Sequence, residues 1–597
     1  MAILSTLLNK HKNTLLAMVF LILINITVKY IISNSLAIDS DEITWSIIGR
    51  RVLSGEDFHI FFLGQKYMGA IEGYIVGIFQ AIFGYNYVTL RINSYIFSTL
   101  LLLTIYLIFK KEVANKFAIF TSLLFIFLMS FDTAFNFTKA WGNRPLVALL
   151  GLLSLYLSYK IFFNHQKVKG VYNFQSLSLL NGLMLGIGFW ANLEMLYFLP
   201  VTILIFLLSL IKIKKPNIKI KINLKSAVTI SFYSNIFFLL FMLFTKKALF
   251  NPYVTIATKL KIESALFNIL NYNFEPKDFL SILYILGPIK FLFSKNRNRA
   301  ISNFELIIFM FFVGAYFPIS KISVARASGE AITINESARF FFDAVFTKFI
   351  GYSLQKATLT KKVLVLASIF TFPMISLTRS LVKNVKNLIK HRKLNIGFID
   401  VVTFYILIPI FFILSKPAGA NPSSRYITSL WPGFIILFSY GFYFLLTNKH
   451  WVSKTLGVCV RLIALSLFIY YMLNFPLKIF KMNEVLPKLE TNDPKLAAEF
   501  LLNNSIKNCY AGYWNAYPIM FESKYKVICS PSKEFGYGEN ETPFNTAIVD
   551  ADQNPAFVFT NQERINEFYK KWVGKNVEVL SNHRVGKYFI FKIRRLK

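Results

Sequence analysis

Acidic residues are what this chain has least of for its size: 30 Asp and Glu stand against 66 Lys and Arg in 597 residues, a net charge of +36. Three cysteines and six scattered histidines leave no spaced Cys/His set for zinc and no HExxH helix. No Walker A run occurs, and no GxGxxG follows a strand, so a soluble nucleotide donor is not indicated. No internal repeat and no low-complexity segment appears. The basic excess does not gather on one soluble face, which argues against nucleic-acid binding. It falls in short loops between apolar runs, the pattern of a topology signal and of anionic-lipid contact.

What the chain has is apolar length. Hydrophobic residues make up 55% and aromatics 17%, with 64 Phe and 30 Tyr. The runs are continuous rather than alternating, so they read as membrane-crossing helices and not as barrel strands. The expected fold class is mainly α: a polytopic transmembrane helical bundle with a small C-terminal α/β domain. Hydropathy places about thirteen spans, near 14–34, 90–109, 117–132, 144–162, 176–190, 194–212, 226–245, 279–294, 303–320, 362–378, 399–415, 426–447 and 455–475. The first is too long for a signal-peptide core and reads as a retained anchor, with Lys10 and Lys12 on the cytoplasmic side. With that count the basic loops all fall on the same side: Lys110, Lys111 and Lys116, then Lys212 to Lys225, Lys295 to Arg299, Arg379 to Lys393, and Lys449 with Lys454. The amino terminus is expected inside and the carboxyl terminus outside. Two domains follow, 1–475 in the membrane with an outer loop 35–89, and an extracytoplasmic 476–597.

The outer loop carries three of the scarce acids in four positions, Asp39-Ser40-Asp41-Glu42, just past the first span. Two readings compete there. Asp39 is a good N-cap, with Glu42 three residues on as a variant capping box and Asp41 favouring the helix dipole. Alternatively, a carboxylate at the membrane boundary is a general base. The cap accounts best for Asp39 and Glu42 and leaves Asp41 for chemistry. The helix expected after the cluster has apolar positions 43, 47, 48 and 52 on one side and should lie in the interface plane. A second interfacial piece is expected from Tyr67 to Phe83, with Gly84 as its stop. Glu72, in the segment Gly64-Gln65-Lys66-Tyr67 onward, is either the solvated face of that helix or a second carboxylate beside the first. Ser424-Arg425-Tyr426, at the outer end of the twelfth span, is either an interface anchor or a cation set against a lipid-linked phosphate.

In the tail, a helix is expected over Lys495–Asn503 and another over Tyr513–Phe521. Strands are expected at 508–511, 525–529, 557–559 and 587–593. Cys509 and Cys529 both lie there and can pair if the tail faces an oxidising compartment. Cys459 lies in a span.

Taken together, Asp41-Glu42 opening an interfacial helix after span one, the Gly64–Tyr74 segment, Trp190-Ala191-Asn192-Leu193-Glu194, Ser424-Arg425-Tyr426 and Tyr513-Trp514-Asn515-Ala516-Tyr517 resemble the integral-membrane glycosyltransferases of the GT-C type. The likeness is to bacterial relatives of the protein O-mannosyltransferases and the aminoarabinose lipid A transferases. The resemblance implies a membrane-embedded, lipid-linked sugar donor, a polyprenyl phosphate, and an acceptor approaching from outside. It implies transfer with inversion, Asp41 as base and Glu42 in support. Substrate contacts then fall to Asp39, Lys66, Tyr67, Glu72, Arg425 and Tyr426, with no cofactor and no metal; Lys139 and Arg144 are either phosphate contacts or ordinary loop charges. The chain departs from those relatives in two places. Phe137 to Arg144 holds no second carboxylate, and Ala70-Ile71-Glu72 stands where the aminoarabinose enzymes have a Lys-Pro pair. These departures leave sugar and acceptor open. The implied location is the cytoplasmic membrane with the active face outside. The runner-up is a transporter or flippase for lipid-linked saccharides, which should carry ionisable or helix-breaking residues deep in several spans. A third reading is a non-catalytic assembly protein. The tail is expected to select the acceptor.

Overall fold

The structure is a computed structural model, and it describes residues 2–57, 59, 61–64, 68–163, 171–210, 359–391, 396–407, 424–447, 493–531 and 542–596, with scattered positions between 458 and 469. These residues fall into two compact units. One comprises Met1–Ile26, Phe97–Phe137 and Arg144–Ile479. The other comprises Thr27–Ile96, Thr138–Asn143 and Phe480–Lys597.

The first unit is helical. Among the described residues four helices are long and apolar enough to cross a membrane: Lys12–Asn34, Ile92–Glu112, Arg144–Phe163 and Ile427–Thr447. Each coincides with an expected span, because about twenty apolar residues in a row have no other stable arrangement. This is an integral membrane protein. The third expected span is instead broken. Asn115–Phe127 and Phe131–Thr138 meet at a bend of 94°. Ser130 ends the apolar run there and caps the new helix, its hydroxyl accepting from the Thr133 N–H at 3.1 Å. The expected fifth span lies within the helix Val171–Ala191. The sixth is divided between a 3-10 turn, Leu193–Tyr197, and a helix, Leu199–Leu210. The tenth lies within Leu359–His391, and Phe398–Leu407 begins the eleventh. The spans expected at 226–245, 279–294 and 303–320, and nearly all of 455–475 with Cys459, lie outside the described residues. Polar side chains join these helices where they are small: Asn181 donates to Ser158 at 3.0 Å and accepts from Ser154 at 2.6 Å.

The second unit contains the segment after the first span and the tail. Helix α1 (Ala2–Asn34) ends in it, followed by α2 (Ser40–Leu53) and α3 (Ile71–Phe83). The latter starts four residues later than the sequence pattern suggests, and Gly84 stops it at φ +75°. The two helices touch through glycine. A Cβ on Gly49 would lie 2.6 Å from the Gly77 Cα, and one on Gly77 2.7 Å from the Gly49 Cα. Gly73 and Gly77, four apart, therefore form a small-residue face that lets the backbones meet. Ile43, Trp45, Ile47 and Ile48 of α2 share one core with the tail residues Ala516, Tyr517, Met520 and Phe521.

The tail is a five-stranded sheet in the order β2-β1-β3-β5-β4. Its strands are β1 (Asn508–Ala511), β2 (Ile528–Pro531), β3 (Ala556–Phe559), β4 (Val577–Val585) and β5 (Tyr588–Arg595). The first three are parallel and the last two antiparallel. Cys509 lies opposite Cys529 in the β1–β2 register and the two are disulfide-bonded. The helix Asp493–Asn503 and the helix Tyr513–Glu522, here α4, match the sequence reading. The helices Pro543–Ala551 and Gln562–Lys571 and strand β4 are additional. β4 is an edge strand with mostly exposed positions, so its sequence, Val577-Glu-Val-Leu-Ser-Asn-His-Arg-Val585, carries little of the alternation that marks a half-buried strand.

Candidate active site

The acidic cluster opens α2. Asp39 is its N-cap, with extended backbone and Oδ1 accepting from the Glu42 N–H at 3.0 Å. Its other oxygen is paired with the Lys139 ammonium. Burial pushes the Asp39 carboxyl above its usual range, against the pull of Lys139.

Glu42 does not close the capping box. Its side chain turns inward to Arg91, and both side chains are fully buried. Arg91 donates from Nε to Oε1 at 2.7 Å and from Nη2 to Oε2 at 2.8 Å, the bidentate fork that suits guanidinium to carboxylate. Its remaining N–H groups go to Ser33 and to the carbonyls of Leu36 and Ala37. Glu42 also accepts the Ala140 N–H at 3.1 Å and lies 3.3 Å from the Lys139 ammonium. Burial alone would raise its carboxyl; Arg91 and Lys139 outweigh it and hold the group at about 2.

Glu72 is not on a solvated face. It is fully buried and accepts from Asn93 at 3.0 Å and from the backbone N–H groups of Gly142 and Asn143 at 3.1 and 2.9 Å. Those two residues have φ of 84° and 58°, so consecutive N–H groups converge in a concavity that binds an anion. Asn143 tolerates this conformation and donates its side chain to the Gly69 carbonyl at 2.9 Å. The turn 138–143 is thus moulded around two carboxylates from the segment after the first span, which places Lys139 against Asp39 and Glu42.

Asp41 differs from its neighbours. It is half-buried, and Oδ1 accepts from the Tyr513 hydroxyl at 2.7 Å. Among the described residues, no hydrogen bond or ion pair engages Oδ2. An ionised carboxylate with one oxygen anchored and the other open can accept a proton from a hydroxyl or amine at the site.

Of the residues singled out from sequence, Asp39, Asp41, Glu42, Glu72 and Lys139 come together in this unit. Arg144 lies in the other unit, paired with Glu194 at 3.0 Å. Lys66 and Tyr67 fall outside the described residues, as do the side chains of Arg425 and Tyr426, whose backbone is in the 3-10 segment Ser424–Leu430. Sequence reasoning missed Arg91, although a lone arginine at the edge of an apolar run was the available signal. It also missed Lys29, buried within the first span and donating to the Thr138 hydroxyl at 3.2 Å. Among the described residues no three His, Cys, Asp or Glu side chains form a group that could hold a metal ion.

No family model and no curated protein matches the sequence. Solved structures do. ArnT from Cupriavidus metallidurans, bound to undecaprenyl phosphate, aligns over 96% of this chain and 97% of its own with TM-score 0.53 and 10% identity. The apo oligosaccharyltransferase of Archaeoglobus fulgidus aligns over 92% of this chain and 69% of its own with TM-score 0.52 and 12% identity. The chain has a GT-C-like fold. At these identities the likeness is one of fold, and the GT-C architecture agrees with the resemblance drawn from Asp41-Glu42 and the segments after it.

Proposed function

We propose that the protein is a glycosyltransferase that moves a sugar from a polyprenyl-phosphate donor to an extracytoplasmic acceptor, with Asp41 as general base. The observation that carries this reading is the division of labour in the acidic turn. Asp39 and Glu42 are committed to Lys139 and Arg91, while among the described residues Asp41 has one oxygen without a hydrogen bond or ion pair. Asp41 Oδ2 takes the proton of an acceptor hydroxyl or amine. The freed lone pair attacks the anomeric carbon as the bond to the lipid phosphate breaks, and the phosphate leaves with that electron pair. A single displacement inverts the anomeric centre. Lys139 and Arg91 hold the turn through Asp39 and Glu42, so Glu42 supports the base by fixing the turn that carries it. The Cys509–Cys529 disulfide supports a tail folded in an oxidising compartment, outside the cytoplasm.

The fold likeness adds support, since one structural neighbour holds undecaprenyl phosphate and another is an oligosaccharyltransferase. The test is sugar transfer in membranes carrying wild type or Asp41→Asn, supplied with a panel of radiolabelled polyprenyl-phosphate sugars. Label should leave the lipid with wild type and stay with Asp41→Asn at equal protein level. Label that stays on the lipid while crossing the bilayer would make the transporter reading the better one.

A further inference from the structure

We propose that Tyr513, from the C-terminal domain, is the positioning residue for Asp41, so that the tail completes the active site and does more than choose the acceptor. This rests on the reading of Asp41 as base. A carboxylate turns broadly about its last side-chain torsion, and among the described residues no hydrogen bond or ion pair engages Oδ2 of Asp41, half-buried in the first turn of α2. The Tyr513 hydroxyl at 2.7 Å fixes the other, setting the plane of the carboxylate and the direction of Oδ2. A neutral donor does this without neutralising the base, as the ammonium of Lys139 would.

Tyr513 is itself held from several sides. Its carbonyl accepts from the Ser40 hydroxyl at 2.6 Å, so adjacent residues of α2 grip both its backbone and its side chain. Its ring meets Trp514 and Tyr517 edge-on at 4.9 and 5.2 Å between centroids. It is the first residue of α4, two residues past the end of β1, and β1 is tied to β2 by the Cys509–Cys529 disulfide. Rigid secondary structure thus delivers the hydroxyl, a placement that a loop would not keep to the fraction of an ångström that proton transfer requires. The sequence separation, 472 residues, hides this contact from any local reading.

The test is Tyr513→Phe in the full-length protein. It should lower kcat by about 10- to 100-fold, the scale of a misplaced catalytic group, and leave KM for the lipid donor unchanged. A second readout does not depend on transfer: carbodiimide labelling of Asp41, followed by peptide mass spectrometry. Tyr513→Phe frees Oδ1 and should label several-fold faster than wild type, and Ser40→Ala, which loosens only the backbone grip, should fall between the two. Equal labelling rates in wild type and Tyr513→Phe, or a loss confined to KM, overturn the positioning role. A wild type that consumes no donor yet shows the labelling difference overturns the transferase reading alone.

Discussion

At the turn 138–143, Glu72 gives one oxygen to two backbone N–H groups and the other to Asn93, and is sealed from solvent. At the first turn of α2, Asp41 gives one oxygen to a hydroxyl, and among the described residues the other has no hydrogen bond or ion pair. Both are carboxylates of the segment after the first span, in the same unit, and in the proposed reading one builds the site and the other acts in it. The difference lies in what surrounds each group. A buried charge persists only when its lone pairs are met, so the saturated carboxylates are structural elements. A partly exposed one can afford an open position, and chemistry requires that position.

The largest effect that would break this comparison is in rate. Asp41→Asn should cost about two to four orders of magnitude in sugar transfer, as loss of a general base does. Its melting temperature in detergent should match wild type; an equal fall in stability would make Asp41 another structural carboxylate. Arg91→Ala should do the reverse. It strands the buried Glu42 charge and should cost about 3–5 kcal/mol of stability, seen as a lower melting temperature and loss of folded protein in detergent. Replacing Cys509 and Cys529 by serine should cost about 3 kcal/mol, the loop-closure value for a bridge of this length, measured by thermal unfolding with and without reductant. Gly77→Val, which forces α2 and α3 apart, should cost about 1–3 kcal/mol and lower activity with it.

Acid gives a further test. Glu42 sits at about 2 in the folded protein, below the ordinary 4.5. Its contribution is therefore fully present above the unfolded value and is lost as pH falls from there towards 2. Thermal melts taken down that range should fall more steeply in wild type than in a Glu42→Gln variant, and parallel curves would refute the pairing.

Much of the frame was readable from the sequence because it depends on local pattern. Apolar stretches of about twenty residues announced the spans expected at 90–109 and 144–162, and Asp39 announced the start of α2. What was hidden depends on distant partners. Glu42 has the spacing of a capping box, but a buried guanidinium 49 residues away outcompetes the helix N-terminus for it. Glu72 looks amphipathic in sequence because nothing local shows that Gly142 and Asn143 will fold over it. The bend after Phe127 was masked by continuous hydropathy, with Ser130 as its small marker.

The glycine contact between α2 and α3 has a mechanical consequence. Side chains that meet across an interface can switch rotamers and absorb small displacements, but Gly49 and Gly77 meet through main chain and have none to switch. A tilt of α3 therefore meets α2 at this point with no side chain between them to absorb it. Ile78, Ile82 and Phe83, apolar and exposed, lie on the same helix that meets α2 main chain to main chain.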